Sequence, residues 1–572
     1  YNIFARGTRY LGCYWYTGIV RDHFRRAAHH HDPSRTPTLP HGRTRCKRQC
    51  AESLDRSRIH ETRPVRRRSA TLAPPRCGAP DMTRHPAGMP PRRPARFLKA
   101  AAAVALLTAL AAPGFSAALP RWASMKGFGL SAPEPRRPEA ASVDGVGKSK
   151  VRIFRGDFVH SVNFNDTEVL VDHVILVRDG LITSVLDASV PGNLEAAASA
   201  AGLSSVEELG RHVDGFRFWL PGFVDTHVHY SQLWNRGLGT DLPLLPWLEK
   251  YTYALEDYFI DAGQMDGPTY SAFVDIAYTR AIQHYLSMGI TSAMIYATSD
   301  TNSTVRLAQL CGHYGQRCFV GKVNMDHDDG RGGAFHVYET LEGGYNETLR
   351  FLDEMDKLEC VKEGLVAPVI TPRFALACSQ AMLDRLGKLA AERNLLIQTH
   401  MSENLDEVAA VEARFGKTYP QVYMDAGLLT NRTVVAHCVH LNSSELQMVM
   451  DSGATCSHCP CSNYQLGSGI APVSWYKSKG YELLGLGTDV SGGYAVSMTE
   501  VMKTAIVGSK SLYFQHRGDP AWKPINYKNT LYMATIGGAA ALQLTGKVGR
   551  FEVSGAHPAC AVLPPGTSRL PA

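Results

Sequence analysis

Hydrophobic and polar positions change character near residue 150. Before it, Arg, Pro and His crowd the chain, and apolar residues recur with neither helical nor strand period. Beyond it, residues 151–154 and 169–177 read as short strands with Arg178-Asp179-Gly180 as a turn, which predicts a small β unit. A different pattern then recurs. A short apolar run ends in polar or ionisable residues, and a helical stretch follows. The runs are 218–229, 289–296, 318–326, 365–373, 395–400, 433–437, 453–458 and 483–489. Eight such units predict an α/β fold of the (β/α)8 TIM-barrel type. Their Val/Ile/Leu-rich cores suit strands buried on both faces. In that fold the chemistry sits at the C-terminal ends of the strands, which here carry His, Glu, Arg and Asp. Helical amphipathicity is plain at 381–393 and 406–415.

The expected organisation is a leader over 1–145, a barrel over 216–546, and a small β-sandwich built from the flanks 150–215 and 547–572. The leader is expected to be disordered or outside the native coding sequence. It holds one ordered-looking stretch: Arg92, Arg93, Arg96 and Lys99 precede the apolar run 100–112 and the small residues of 113–118. That is the order of a signal peptide, and the run is too short to span a bilayer. Translation from Met82 or Met89 would place it at the N-terminus, and translation from Met125 would remove it. The C-terminal part of the sandwich is expected to be incomplete, because 554–572 is Pro-rich and departs from the apolar strands that would complete such a domain.

Composition adds limits. Of 572 residues, 44% are hydrophobic and 20% charged, which excludes a wholly disordered chain, a coiled coil and a polytopic membrane protein. The net charge of +7 misleads, since residues 1–150 hold 28 of the 60 Lys and Arg but 9 of the 53 acids. The remainder is acidic, so its charge gives no reason to expect nucleic acid. Thirteen cysteines, four of them in the leader, show no disulfide spacing, and the body suits a reducing compartment.

The chemistry centres on Pro221-Gly222-Phe223-Val224-Asp225-Thr226-His227-Val228-His229. Histidines two apart on a strand share a face, so both imidazoles reach one ion. His400, His437 and Asp489 each end a strand run, and Glu403 lies three residues beyond His400. Three neutral imidazoles and a carboxylate suit zinc, or Fe(II). A glutamate at that offset reaches the same pocket as a general acid/base. Cys456, His458, Cys459 and Cys461 form a compact alternative cluster, though a structural zinc site usually draws a second pair from elsewhere. Lys322 is a remote candidate for the bridging lysine of a two-metal site.

These residues carry a resemblance. Residues 218–553 resemble the amidohydrolase superfamily and, within it, the guanine deaminase branch. PGFVDTHVHYSQ (221–232) marks the superfamily. DLPLLPWLEKYT (241–252), ITPRFALACS (370–379), THMSEN (399–404), VVAHCVHL (434–441), SHCPCSN (457–463) and GLGTDVSGGY (485–494) narrow it. The resemblance implies one zinc per subunit on His227, His229, His400 and Asp489. It gives Glu403 proton transfer, Asp489 the proton of the attacking water, and His437 the orientation of substrate or hydroxide. Gln232, Arg373 and Phe374 would hold the purine edges, beside His229, His400, Glu403 and Asp489. Phe374 and Tyr230 serve equally well as pocket wall or core. The resemblance further implies guanine as substrate, a homodimer, a cytoplasmic setting, and no nucleic acid or membrane partner. The alternatives are a related aminohydrolase of another purine, a pterin or a triazine, and a silent scaffold. A scaffold would have lost ligands, and none is lost here.

Overall fold

Each apolar run after Pro221 forms a strand, because Val, Ile and Leu on both faces are satisfied only inside a covered parallel sheet. The computed structural model describes residues 151–203, 205–206, 218–260, 266–327 and 339–553. The expected leader (1–145), its signal-like stretch (92–118) and the tail (554–572) lie outside the described residues.

Three antiparallel strands come first: β1 (Val151–Asn163), β2 (Asp166–Arg178) and β3 (Leu181–Asp187). The barrel follows with β4 (Phe223–His229), β5 (Ile290–Tyr296), β6 (Arg317–Gly321), the short β7 (Val323–Asn324), β8 (Val366–Pro372), β9 (Leu396–Met401), β10 (Thr433–His437), β11 (Thr455–His458) and β12 (Leu484–Leu486). The ladder runs β12-β11-β10-β9-β8-β6-β5-β4, with β7 on β8. All eight expected runs lie in it.

The seam between β4 and β12 closes through individual bonds. Asp489 N donates to His227 O at 2.9 Å, and His229 N donates to Val490 O at 3.2 Å. Asp225 supports the same seam. Its Oδ1 accepts from Thr488 N at 3.0 Å and His227 N at 3.2 Å, and its Oδ2 accepts from Thr488 Oγ1 at 2.5 Å. Inside the barrel, Val224, Met294, Phe319, Val369, Leu396 and Val434 pack with Ala539, Ala541 and Leu542 at the helix Gly538–Ala541. One apolar residue from each of six strands thus fills the end away from the histidines.

The helices follow their sequence signals. Gln380–Glu392 starts where the Ser379 side chain accepts from Met382 N, and it buries Met382, Leu383, Leu386 and Leu389. Leu405–Phe415 starts at an Asn404/Glu407 capping box. Glu407 Oε2 also accepts from Glu403 N at 2.9 Å, so the cap that starts this helix fixes the backbone of Glu403.

Among the described residues the small domain is a three-stranded sheet with the helix Asn193–Ala201. The C-terminal flank joins it through side chains. Phe551 packs edge-on to Phe158 at 5.1 Å, and Arg550 donates to Ser161 O at 3.2 Å. No described helix is long and apolar enough to cross a membrane.

Candidate active site

Four strand ends and the turns after them converge. His227 and His229 come from β4, His400 from β9, His437 from β10, and Asp489 follows β12. Non-glycine residues with positive φ mark where the chain leaves its strands: Ser402 (51°), His437 (75°) and Asp489 (46°). Such conformations persist where surrounding packing over-determines them.

Asp489 Oδ1 lies 3.1 Å from His227 Nε2 and 3.4 Å from His229 Nε2. His229 Nε2 lies 3.3 Å from His400 Nε2. His437 Nε2 stands 3.7 Å from the other oxygen, Asp489 Oδ2, and 3.3 Å from Glu403 Oε2. Donor atoms of His227, His400, His437 and Asp489 all fall within 4.8 Å of one another. This is the one such group among the described residues.

The donor set fits a cation. The Nε2 atoms of His227 and His437 are buried without a hydrogen bond, although carboxylate oxygens are near. Both point at a shared space rather than at a partner. Two rings have the right tautomer fixed from behind. His400 Nδ1 donates to Arg373 O at 2.6 Å, and His437 Nδ1 donates to Asn463 Oδ1 at 2.8 Å. Each leaves Nε2 bare toward the cluster. Burial pushes the His227 imidazole down to about 4 and holds His400 well below its ordinary value, so both rings are neutral. Burial alone would raise the Asp489 carboxyl; the imidazoles of His227, His229 and His437 overcome it and hold that carboxyl well below the usual range.

Glu403 is the opposite case. Burial, with the carboxylates of Asp489 and Glu407 nearby, drives its carboxyl well above the usual range. Ser468 Oγ donates to Glu403 Oε1 at 3.1 Å. A carboxyl held protonated beside a cation site is suited to giving a proton.

A cleft opens onto these groups and is lined by His229, His400, Glu403 and Asp489 together with Gln232, Arg373 and Phe374. Leu244, Trp247 and Leu466 add apolar wall. Phe374 lines this cleft, whereas Tyr230 is core, its hydroxyl donating to Gln316 Oε1 at 3.0 Å.

The competing clusters resolve differently. Lys322 Nζ bonds Glu339 Oε2 at 2.7 Å, which uses its charge away from the histidines. Cys456, Cys459 and Cys461 are buried free thiols with separate partners: His437 O, Ser457 O and Thr504 Oγ1. With His458 they form no metal group among the described residues.

Three residues escaped the sequence reading: Asn463 behind His437, Ser468 on Glu403, and Glu256. Glu256 is buried and joins Gln232 to Arg373. A signal existed for it. Leu244, Leu248, Thr252 and Glu256 recur every four residues, which places a carboxylate on a buried stripe.

Residues 218–555 match the Amidohydrolase family. The guanine deaminase of Homo sapiens is 40% identical over 405 residues, covering 70% of this chain and 84% of that protein. That of Dictyostelium discoideum is 34% identical over 412 residues, covering 70% and 86%. Among solved structures, the guanine deaminase of C. acetobutylicum, with guanine bound in its active site, superposes with a TM-score of 0.62. It is 31% identical and covers 70% of this chain and 88% of its own. The matched span holds the barrel and every residue of the cluster, and the chain belongs to the amidohydrolase family.

Proposed function

We infer that this chain hydrolyses guanine to xanthine and ammonia. The observation that carries the reading is one cleft, lined both by the His/Asp cluster with Glu403 and by Gln232, Arg373 and Phe374.

His227, His229, His400 and Asp489 would hold a single zinc. Protein donors about 2.0–2.1 Å from one zinc, with a further position left for water, stand about 3–3.5 Å apart. Three of the six separations among these four side chains, 3.1, 3.4 and 3.3 Å, fall in that range, although the donors that all lie within 4.8 Å of one another include His437 and not His229. His437 is set off by its longer approach to Asp489, 3.7 Å, and by its contact with Glu403. When bound, zinc brings the pKa of a water to about 7, so hydroxide is available at neutral pH.

The protein's own groups do the rest. Asp489 accepts the proton of the incoming water. His437, fixed by Asn463, orients that oxygen toward C2. As the C2–O bond forms, electron density moves onto N3, and Glu403 protonates it there. The Glu403 carboxylate left behind takes the remaining water proton from the C2 hydroxyl and hands it to the exocyclic nitrogen; the C2–N bond breaks, ammonia leaves with the C2 carbonyl formed, and the proton held on Asp489 returns Glu403 to its starting form. Arg373 donates to O6, and Gln232 offers a donor and an acceptor to the purine edge. Adenine, with an amine in place of O6, would set donor against donor.

The test is a substrate panel. Purified, zinc-loaded chain should convert guanine to xanthine and leave adenine, a pterin and an aminotriazine untouched. Faster turnover of any of those three would move the reading to that substrate. A homodimer, a cytoplasmic setting and one zinc per subunit belong to the same proposal. The described cysteines, all free thiols, support the compartment. Sedimentation, fractionation and metal analysis check these three.

A further inference from the structure

Glu256 is a buried acid that the reaction above leaves unused. It is 2% exposed and sits on the turn of helix Tyr253–Glu256, between two residues of the recognition edge. Its Oε1 accepts from Gln232 Nε2 at 2.8 Å, and its Oε2 accepts from Arg373 Nη1 at 2.5 Å. Arg373 is equally buried, with its guanidinium 4.9 Å over the Tyr253 ring.

A terminal amide has two orientations of nearly equal shape and opposite polarity. At Gln232 the surroundings choose one. The carboxylate that accepts from the Arg373 guanidinium turns only acceptor oxygens to its neighbours, so the amide NH₂ must face Glu256. On its other side, Gln232 Oε1 lies 3.4 Å from the backbone N of Ser491, which donates, while the Ser491 hydroxyl gives its proton to Asn235 Oδ1. A flip would set Oε1 against a carboxylate oxygen and NH₂ against the Ser491 N–H. The polarity that Gln232 shows the cleft is therefore fixed before any ligand arrives. The same carboxylate anchors the guanidinium that donates beside it.

We propose that Glu256 is a positioning residue that fixes the hydrogen-bond polarity of the purine-recognition edge through Gln232 and Arg373, and thereby makes the site select an oxo over an amino group at C6. The proposal rests on guanine being the substrate. Glu256 makes no contact with the purine in this scheme; it acts through the two side chains that do.

The test is Glu256→Gln in the full, zinc-loaded chain. The replacement keeps the shape but both donates and accepts, so both orientations of Gln232 become allowed. Two quantities are read: kcat and KM for guanine, and competition by 2,6-diaminopurine, which carries an amine at C6. The KM for guanine should rise about 10- to 100-fold, the scale of a lost charge-assisted hydrogen bond, with a smaller change in kcat. Inhibition by 2,6-diaminopurine, relative to the KM of guanine, should strengthen at least about tenfold. An unchanged KM and an unchanged ratio overturn the proposal. So does a fall in kcat alone, which a purely structural role would produce. Should the Gln variant fail to fold, Glu256→Asp decides. It keeps an acceptor-only carboxylate, so KM should rise while the selectivity ratio holds; a collapsed ratio overturns the proposal. A wild-type chain that leaves guanine untouched instead removes the functional reading on which the proposal stands.

Discussion

Asp225 offers a sharp test of how the barrel holds its metal-binding end. Asp225→Ala removes an acceptor from three buried donors at once: His227 N, Thr488 N and Thr488 Oγ1. Asp225 and Thr488 are fully buried, so water does not replace the lost oxygens without opening the seam. Each stranded donor costs about 1–3 kcal/mol. The Tyr285 hydroxyl, 3.3 Å from Thr488 Oγ1, recovers part of one. The net expectation is about 3–5 kcal/mol, among the larger effects of a point change. Asp225→Asn keeps one acceptor oxygen and should cost about 1–2 kcal/mol. The assay is urea unfolding of the zinc-loaded and chelator-treated chain. A slope of about 3 kcal/mol per molar urea makes the alanine cost a fall of about 1–1.7 M in midpoint. The zinc-loaded form should lose more than the stripped form, because Thr488 and His227 flank or form the donor set. An alanine variant within about 0.2 M of wild type at unchanged slope would refute the reasoning.

The remaining predictions concern single groups. Glu403→Gln should retain zinc and lose about 10²- to 10⁴-fold in guanine turnover, checked by metal analysis beside the rate; a rate within tenfold of wild type sinks its role. Gly387→Ala should destabilise by about 1–3 kcal/mol even though Ala favours helix, because its Cβ would meet Ala426 O at 1.8 Å; a variant as stable as wild type in thermal unfolding shows the close approach is absent. Burial lowers the His458 imidazole from 6.5 to about 3. A depressed folded value leaves stability complete above pH 6.5 and drains it as pH falls toward 3, since the unfolded chain binds the extra proton. His458→Gln should flatten unfolding midpoints between pH 6.5 and 4, and an unchanged acid slope would exclude His458 as their source.

Much of the architecture was legible because it depends on local apolar runs. The eight runs predicted from residues 218–489 are the barrel strands, and the helices at 380–392 and 405–415 lie within a residue of their amphipathic stretches. What was not legible depends on long-range placement. Residues 151–163 and 166–178 form long strands rather than short ones, since pairing between them carries the pattern past the apolar runs. His227, His229, His400, His437, Glu403 and Asp489 were nameable because strand ends in this fold face one mouth. Asn463 and Ser468 were not, because a polar residue's sequence neighbours say nothing about the side chain 26 or 65 positions away that it bonds. Lys322 shows the converse. Its position suggested a metal bridge, but Glu339, 17 residues on, takes its charge.

The central claim is zinc-dependent hydrolysis of guanine at this cluster. The most direct measurement strips the full chain of metal, adds zinc back in steps, and follows guanine conversion by its ultraviolet absorbance. The account predicts no turnover from the stripped chain, then xanthine formation rising in proportion to zinc and levelling at one ion per chain. Full turnover by the stripped chain, or a folded chain with one zinc that forms no xanthine, would contradict it.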